Sequence, residues 1–414
     1  MKADAIEIGW IGPGRDRLDP GTFGVKAARL SVAASLGLPV PPALVLAGSG
    51  LEAGLPQGLS QLESLTGAAL DDPETPLLVS LRVSSSIGAS ATVPACLNLG
   101  LTGTVRQGLA RRFSARLAAD LERRMLQHWA TGVLEIEGEA FEYALLDAMK
   151  AVGASSETEL GAAEMSGLAT ACNDLIAEEG ADPPPDTAQA QIAHAVRALE
   201  TRWHSPRAIR RRAARGVEGP APLAILIQQM ALGLGGARSG AGIAHLRDPE
   251  TGAPSLSGRF LTDAQGDEAL MGLRTPILLG AEERAARGLK GAVFEETHAE
   301  AAAALRQAGQ ALEAAMGTAF SLDFTLDAGR LAVLELHAAR LSPRAAVQLA
   351  VDLGQADAAA RDRALMQIDP VQLEAHLHPM IDPKAPRDLI GRGLPASPGA
   401  ASGPLVFSPE RAEA

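Results

Sequence analysis

The chain has 414 residues, with 37 Lys and Arg against 49 Asp and Glu, for a formal net charge of −12. That balance excludes a global basic field for nucleic acid or an anionic membrane, and an aromatic content of 3% leaves little for stacking single-stranded bases. Hydrophobic residues at 47% and charged residues at 21% exclude a disordered or fibrous chain, and the length suits about two or three domains.

Met1–Asp19 carries charges of both signs and no long apolar centre, unlike a signal peptide. The uncharged stretches Val83–Val105 and Gly219–Ala237 are interrupted by prolines and polar residues, so no membrane partner is expected. Two cysteines, Cys96 and Cys172, make neither a disulfide framework nor a four-cysteine zinc site. A cytoplasmic location is the expectation.

In chain order, Lys26–Leu36 has apolar residues at helical spacing after a turn containing Gly21 and Gly24, and it stops at Gly37 and Pro39. Ala43–Ala47 and Pro76–Val83 are apolar runs of strand length. From about Arg106 to Gly216 the strand runs give way to helix formers, interrupted by the loop Pro183-Pro184-Pro185. Short apolar segments return at Leu223–Met230, Gly242–Leu246 and Arg259–Thr262. Thr297–Met316 reads as a long Ala-rich helix, and Phe320–Leu326 with Leu331–Leu336 as a hairpin. Helical pattern then runs to about His378, before the Pro/Gly-rich piece Gly393–Phe407. The predicted segments are therefore 1–105, 106–216, 217–340, 341–392 and 393–414, in a mixed α/β (α+β) fold.

Several patterns carry candidate chemistry. Gly21-Thr-Phe-Gly-Val-Lys26 opens a helix, where backbone amides and a lysine can hold phosphate; a solvated lysine gives the same pattern. Arg82 leads into the small-residue loop Ser84–Ala91, which suits a polyphosphate through fork hydrogen bonds and amides, or is simply a surface loop. Gln228-Gln229-Met230 closes a buried strand whose backbone can receive a purine edge, and the glycines from Gly233 to Gly242 can cover a ligand or make tight turns.

In the hairpin, alternation puts Ser321, Asp323, Thr325 and Asp327 on one face. A three-residue loop, Ala328–Arg330, brings Asp323 opposite Glu335, where paired carboxylates suit magnesium. A two-residue loop shifts the register by one and separates them. The six arginines between Arg202 and Arg215 are read as a solvated, acid-paired helix rather than a nucleic-acid patch. His376 and His378 have poor metal spacing, so no histidine metal site is expected.

Taken together, these pieces resemble the N-terminal, ATP-grasp nucleotide-binding part of the pyruvate, phosphate dikinase family. The resemblance rests on Gly24-Val-Lys-Ala-Ala-Arg-Leu, Leu36-Gly-Leu-Pro-Val-Pro-Pro42, Leu78-Val-Ser-Leu-Arg82, Leu97-Asn-Leu-Gly-Leu101 and Trp203-His-Ser-Pro-Arg-Ala-Ile209. Arg247-Asp-Pro-Glu-Thr-Gly252, Ala264-Gln-Gly266, Asp323-Phe-Thr and Leu394-Pro-Ala-Ser-Pro-Gly follow in family order. It implies an ATP-grasp fold with an inserted helical subdomain (106–216), a C-terminal helical linker (341–392) and the start of a swivelling phosphohistidine domain (393–414).

The resemblance also implies ATP and Mg2+ as cofactors. Lys26 and Arg82 would hold phosphates, Gln229 and Met230 the adenine side, and Asp323 and Glu335 the metal and nucleotide. His337 would be the third candidate catalytic residue, at a position where the family has arginine. The family's acceptor segment, Gly-Gly-Met-Thr-Ser-His-Ala-Ala, is not in the sequence, so a phosphohistidine-domain protein in trans is the expected partner.

Departures from the family pattern are Ser86 and His337 for arginines, Ser321 for an acid, Glu335 for glutamine and Arg259 for glutamate. An arginine on a transferring phosphoryl group is worth ~10³-fold or more in rate, and an unperturbed histidine is cationic only below about 6.5. These departures motivate the alternative expectation of a degenerate, inactive ATP-binding sensor or interaction subunit.

Overall fold

The computed structural model describes residues 6–86, 94–214, 222–266, 274–356 and 358–366, with isolated positions beyond. Its strands are β1 (Glu7–Ile11), β2 (Ala43–Ala47), β3 (Val79–Ser84), β4 (Cys96–Leu99), β5 (Ala224–Gln229), β6 (Gly240–Arg247), β7 (Pro254–Thr262), β8 (Ile277–Leu278), β9 (Phe320–Asp327) and β10 (Arg330–Ala338). They form two five-stranded antiparallel sheets, ordered β1-β2-β5-β3-β4 and β10-β9-β6-β7-β8. The mixed α/β class expected from the sequence is what the chain adopts.

Around the first sheet lie helices α1 (Pro20–Ser35) and α2 (Leu55–Thr66), followed by a helical run, α3 (Gly103–Arg112), α4 (Ala115–His128), α5 (Glu139–Val152), α6 (Ala162–Glu178), α7 (Ala188–Trp203) and α8 (Pro206–Ala213). Later helices are α9 (Ala281–Ala286), α10 (Phe294–Thr297), α11 (Ala299–Met316), α12 (Pro343–Ala356) and α13 (Ala358–Leu365). The single helix predicted over Thr297–Met316 is broken at His298, whose φ of −136° and ψ of 52° are not helical. Side-chain caps mark several starts: Ser114, Thr187 and Ser205 accept the amides of Leu117, Ala190 and Ala208. The predicted His376–His378 and Gly393–Phe407 segments, and residues 87–91 of the small-residue loop, lie outside the described residues.

Two compact units divide the chain. One comprises Met1–Ala244, Gly258–Ala308 and Ser321–His337, and the other His245–Ser257, Gly309–Phe320 and Ala338–Ala414.

In the first unit, the register of β2, β3 and β5 decides which side chains share a face. Ser80 lies opposite Gln228 and Arg82 opposite Leu226, so Ser80, Arg82, Ser84 and Gln228 fall on one side. On the other side, Leu44, Leu46, Val79, Leu81, Ile225 and Ile227 join Leu51, Leu55 and Leu62 in a continuous apolar core. This core is mainly aliphatic, with Trp129, Phe141 and Trp203 as its aromatic members. A smaller aromatic cluster, Phe260, Phe294 and Phe324, has ring centroids 4.8 and 5.4 Å apart. Asn98 on β4, at φ +58°, exchanges two amide hydrogen bonds of 2.9 and 3.0 Å with Gln265, both side chains buried.

The start of α1 is built around Gly24, whose φ of +79° and ψ of 160° interrupt the helix. A Cβ there would sit 2.4 Å from Ser84 Oγ and 2.5 Å from the Ser85 amide nitrogen. The missing side chain lets the helix press onto the end of β3. There the Ala27 amide donates to Ser84 Oγ at 3.1 Å, and the Val25 amide donates to the Ser85 carbonyl at 3.1 Å.

In the second unit, Arg247 is almost fully buried and grips Glu313 with both edges of its guanidinium, Nε to Oε1 at 2.8 Å and Nη2 to Oε2 at 3.0 Å. Its Nη1 reaches Asp352 Oδ2 at 2.6 Å and the Gly252 carbonyl.

Gly24→Ala combines a positive φ with a steric overlap and is expected to lower stability by about 2 kcal/mol or more, read by chemical denaturation. Arg247→Met strands two carboxylates and is expected to lower the unfolding free energy by about 3–5 kcal/mol. Arg247→Lys should recover only part of that loss, because an ammonium cannot bridge both oxygens of Glu313.

Candidate functional site

Three elements bring the charged candidates together: the first turn after Gly24 supplies Lys26, β3 supplies Arg82, and the β9–β10 hairpin supplies Asp323, Glu335 and His337. Lys26 Nζ lies 2.8 Å from Glu335 Oε2, and Arg82 Nη1 lies 3.4 Å from the same oxygen. All three side chains are 13–16% exposed, so this is a largely dry ion cluster. Arg82 Nη2 donates to Gln228 Oε1, and Gln228 Nε2 donates in turn to the Pro41 carbonyl at 3.0 Å. Arg82 Nε is buried and has no hydrogen-bond partner among the described residues.

The hairpin differs from both sequence expectations. Its loop has two residues, Ala328 and Gly329, at φ +51° and +86°, as a tight hairpin of the primed type requires. Ala328 tolerates that conformation because the turn is tied down from outside: its amide donates to Ser239 Oγ at 3.0 Å, and the Gly329 amide donates to the Arg238 carbonyl at 2.8 Å. A regular two-residue hairpin would separate Asp323 from Glu335. Further along, however, the Ala339 amide donates to the Ala319 carbonyl at 2.9 Å, so β10 carries one residue more than β9 between that bond and the turn. The extra residue restores the shared face. One ligand atom each from Asp323, Glu335 and His337 lies within 4.8 Å of the others.

His337 Nε2 donates to Asp323 Oδ2 at 2.9 Å, and its Nδ1 lies 3.8 Å from Glu335 Oε1. The hydrogen bond to Asp323 holds the imidazole pKa above its ordinary value despite partial burial, so the histidine stays cationic over a wider range than an unperturbed one. Burial pushes the Glu335 carboxyl up, but the charges of Lys26, Arg82 and His337 outweigh it and leave its pKa lowered. Burial also lowers the Lys26 pKa, and Glu335 only partly offsets the loss of water.

Other expectations fare differently. The amides of Val25 and Ala27 at the helix start are taken by the Ser85 carbonyl and Ser84 Oγ. They are therefore not free to cradle phosphate, as the glycine-containing turn suggested. Ser84 and Ser85 are likewise structural, with Ser85 Oγ donating to the Pro222 carbonyl at 3.2 Å.

Gln229 and Met230 are placed through their backbones, the Gln229 amide on the Pro42 carbonyl at 3.0 Å and the Met230 amide on the Leu78 carbonyl at 2.9 Å. Strand alternation turns Gln229 away from the Arg82 face, and the preceding residue, Gln228, reaches the cluster instead. Sequence reading missed Gln228 as a site residue. The signal was available only through the strand register. Among the arginines, Arg212 stacks over Trp203 with its guanidinium carbon 4.3 Å from the ring centroid, and Arg202 donates to the Thr131 carbonyl at 3.1 Å. Among the described residues, no helix is long and apolar enough to cross a membrane.

Comparison with known proteins agrees with the motifs. The chain is 34% identical over 413 residues to pyruvate, phosphate dikinase of Rhizobium meliloti, covering 96% of this chain and 45% of that protein. It is 35% identical over 409 residues to the chloroplastic pyruvate, phosphate dikinase 1 of Oryza sativa, covering 95% and 42%. The chain belongs to the pyruvate, phosphate dikinase family. It spans less than half the length of these relatives. A similar match, 34% over 407 residues, is found to pyruvate, phosphate dikinase 2 of Zea mays. No protein-family model matches the chain.

The raised histidine pKa has a defined sign. Stabilisation by the His337–Asp323 pair is present below the unfolded-state pKa and is lost as pH rises through the higher folded-state value. In the metal-free protein, the His337 ring signals are expected to titrate above about 6.5, and Asp323→Asn should bring the midpoint down toward that value. An unchanged midpoint in the variant would contradict this assignment.

Proposed function

We propose that the chain binds Mg·ATP and acts as the nucleotide-binding module of a pyruvate, phosphate dikinase-type phosphotransferase, with the phosphoryl or pyrophosphoryl group delivered to a histidine on a separate chain or domain. The observation that carries this reading is the convergence of Lys26 and Arg82 on Glu335, beside Asp323 and His337, in a chain of this family. In this reading the two sheets are the two halves of an ATP-grasp fold, the first built from the strands of 1–105 together with β5 and the second from β6 to β10, with 106–216 as the inserted helical subdomain.

The donor set is compatible with magnesium. Asp323 and Glu335 offer hard carboxylate oxygens close enough for one ion, and a small divalent cation keeps waters for its remaining positions. Bound there, the ion would neutralise phosphate charge. Arg82 has the planar fork that matches phosphate oxygens, with its Nε unpaired among the described residues. Lys26 adds a point charge whose burial makes a further anion favourable. His337, held by Asp323, supplies a third group that carries positive charge when protonated. Positioned positive charge of this kind is the main protein contribution to phosphoryl transfer.

Calorimetric titration with Mg·ATP is expected to show saturable binding that Lys26→Ala and Arg82→Ala each weaken at least about tenfold. Absence of binding at millimolar Mg·ATP would overturn the reading. With a phosphohistidine-domain protein added, label from ATP should appear on its histidine, and an unlabelled acceptor would remove the transfer step from the proposal.

A further inference from the structure

Glu335 does more than line the site, because its carboxylate holds both of the cations that the proposed function assigns to phosphate. One oxygen, Oε2, contacts both fixed cations, at 2.8 Å from Lys26 Nζ and 3.4 Å from Arg82 Nη1. The other, Oε1, faces His337 Nδ1 at 3.8 Å. Asp323 closes the far side of His337 at 2.9 Å. Lys26 and Arg82 are thus both engaged by the one carboxylate of Glu335, all three largely buried, while Asp323 is engaged by His337. An incoming phosphoanion without a cation finds Lys26 and Arg82 already engaged by Glu335, and it meets the repulsion of that carboxylate at short range and low screening.

We infer that Glu335 is a charge gate that makes phosphoanion binding depend on a divalent cation. The cation draws the Glu335 and Asp323 carboxylates, and Lys26 and Arg82 become available to the anion it accompanies. The inference rests on the reading of the cluster as a phosphate and metal site, and it assigns that site's dependence on metal to one residue.

The test uses the full chain and inorganic tripolyphosphate, titrated by calorimetry with EDTA or with excess Mg2+. Wild-type protein should bind the metal-free probe weakly and gain strongly with Mg2+. Glu335→Gln should bind the metal-free probe about tenfold or more tightly than wild type, with a much smaller gain from Mg2+. Glu335→Ala removes the same charge by a different side chain and should show the same gain, which guards against a folding defect peculiar to one variant. Adding Lys26→Met to Glu335→Gln should abolish it.

If neither Glu335 variant gains affinity for metal-free tripolyphosphate, the gate is overturned; binding of Mg·ATP by the wild type would then leave the proposed function standing. If the variants gain affinity while Mg·ATP fails to bind the wild type, the gate holds and the proposed function falls.

Discussion

A single carboxylate oxygen, Oε2 of Glu335, is held by both Lys26 and Arg82, and the arrangement of the site depends on that shared contact. Its three members come from a helix start, an inner strand of the first sheet and the last strand of the second. Buried charge is tolerable only when it is paired and hydrogen-bonded. Arg82 therefore recruits Gln228, and Glu335 takes two cations instead of one. Removing any member would leave a charge stranded in a largely dry setting, so the cluster constrains where α1, β3 and β10 can lie in the first unit.

The helix start shows how a local constraint serves the same end. Lys26 can reach Glu335 because the chain before it presses onto the end of β3, and only a residue without a side chain fits between them. The amides that the helix exposes at that point are consumed in docking it, by Ser84 Oγ and the Ser85 carbonyl. A helix N-terminus is commonly read as an anion site. Here its donors hold the helix in place, and the anion-binding capacity passes to the side chains of Lys26 and Arg82.

The hairpin makes a related point about register. Its tight turn is imposed by bonds from Ser239 and Arg238 to the turn amides, and one additional residue in β10 returns Asp323, Glu335 and His337 to a common face. That face couples the groups electrostatically. Asp323 holds the His337 pKa above its ordinary value, and three positive neighbours hold that of Glu335 below its own. A histidine at this position thus keeps its positive charge to higher pH than its ordinary pKa implies.

Much of this was legible in the residues. Apolar runs of strand length, helical spacing in Lys26–Leu36 and the ordered family motifs carried the mixed α/β class. They also carried the candidates Lys26, Arg82, Asp323, Glu335 and His337, because hydrophobic periodicity and local motifs are properties of contiguous chain. β1, α2 and β4 carried no comparable signal and were not anticipated. The contact of Gln228 with Arg82, the capture of the helix-start amides and the two-residue turn with its compensating extra residue were decided by tertiary structure. Each depends on a partner tens or hundreds of residues away: β3 for Gln228, Ser84 and Ser85 for the amides, Arg238 and Ser239 for the turn. By itself the sequence determined which residues can carry charge and which stretches can be helix or strand. Packing alone decided which oxygen each charge would meet, because a face, a register and a hydrogen-bond partner exist only once two distant segments are side by side.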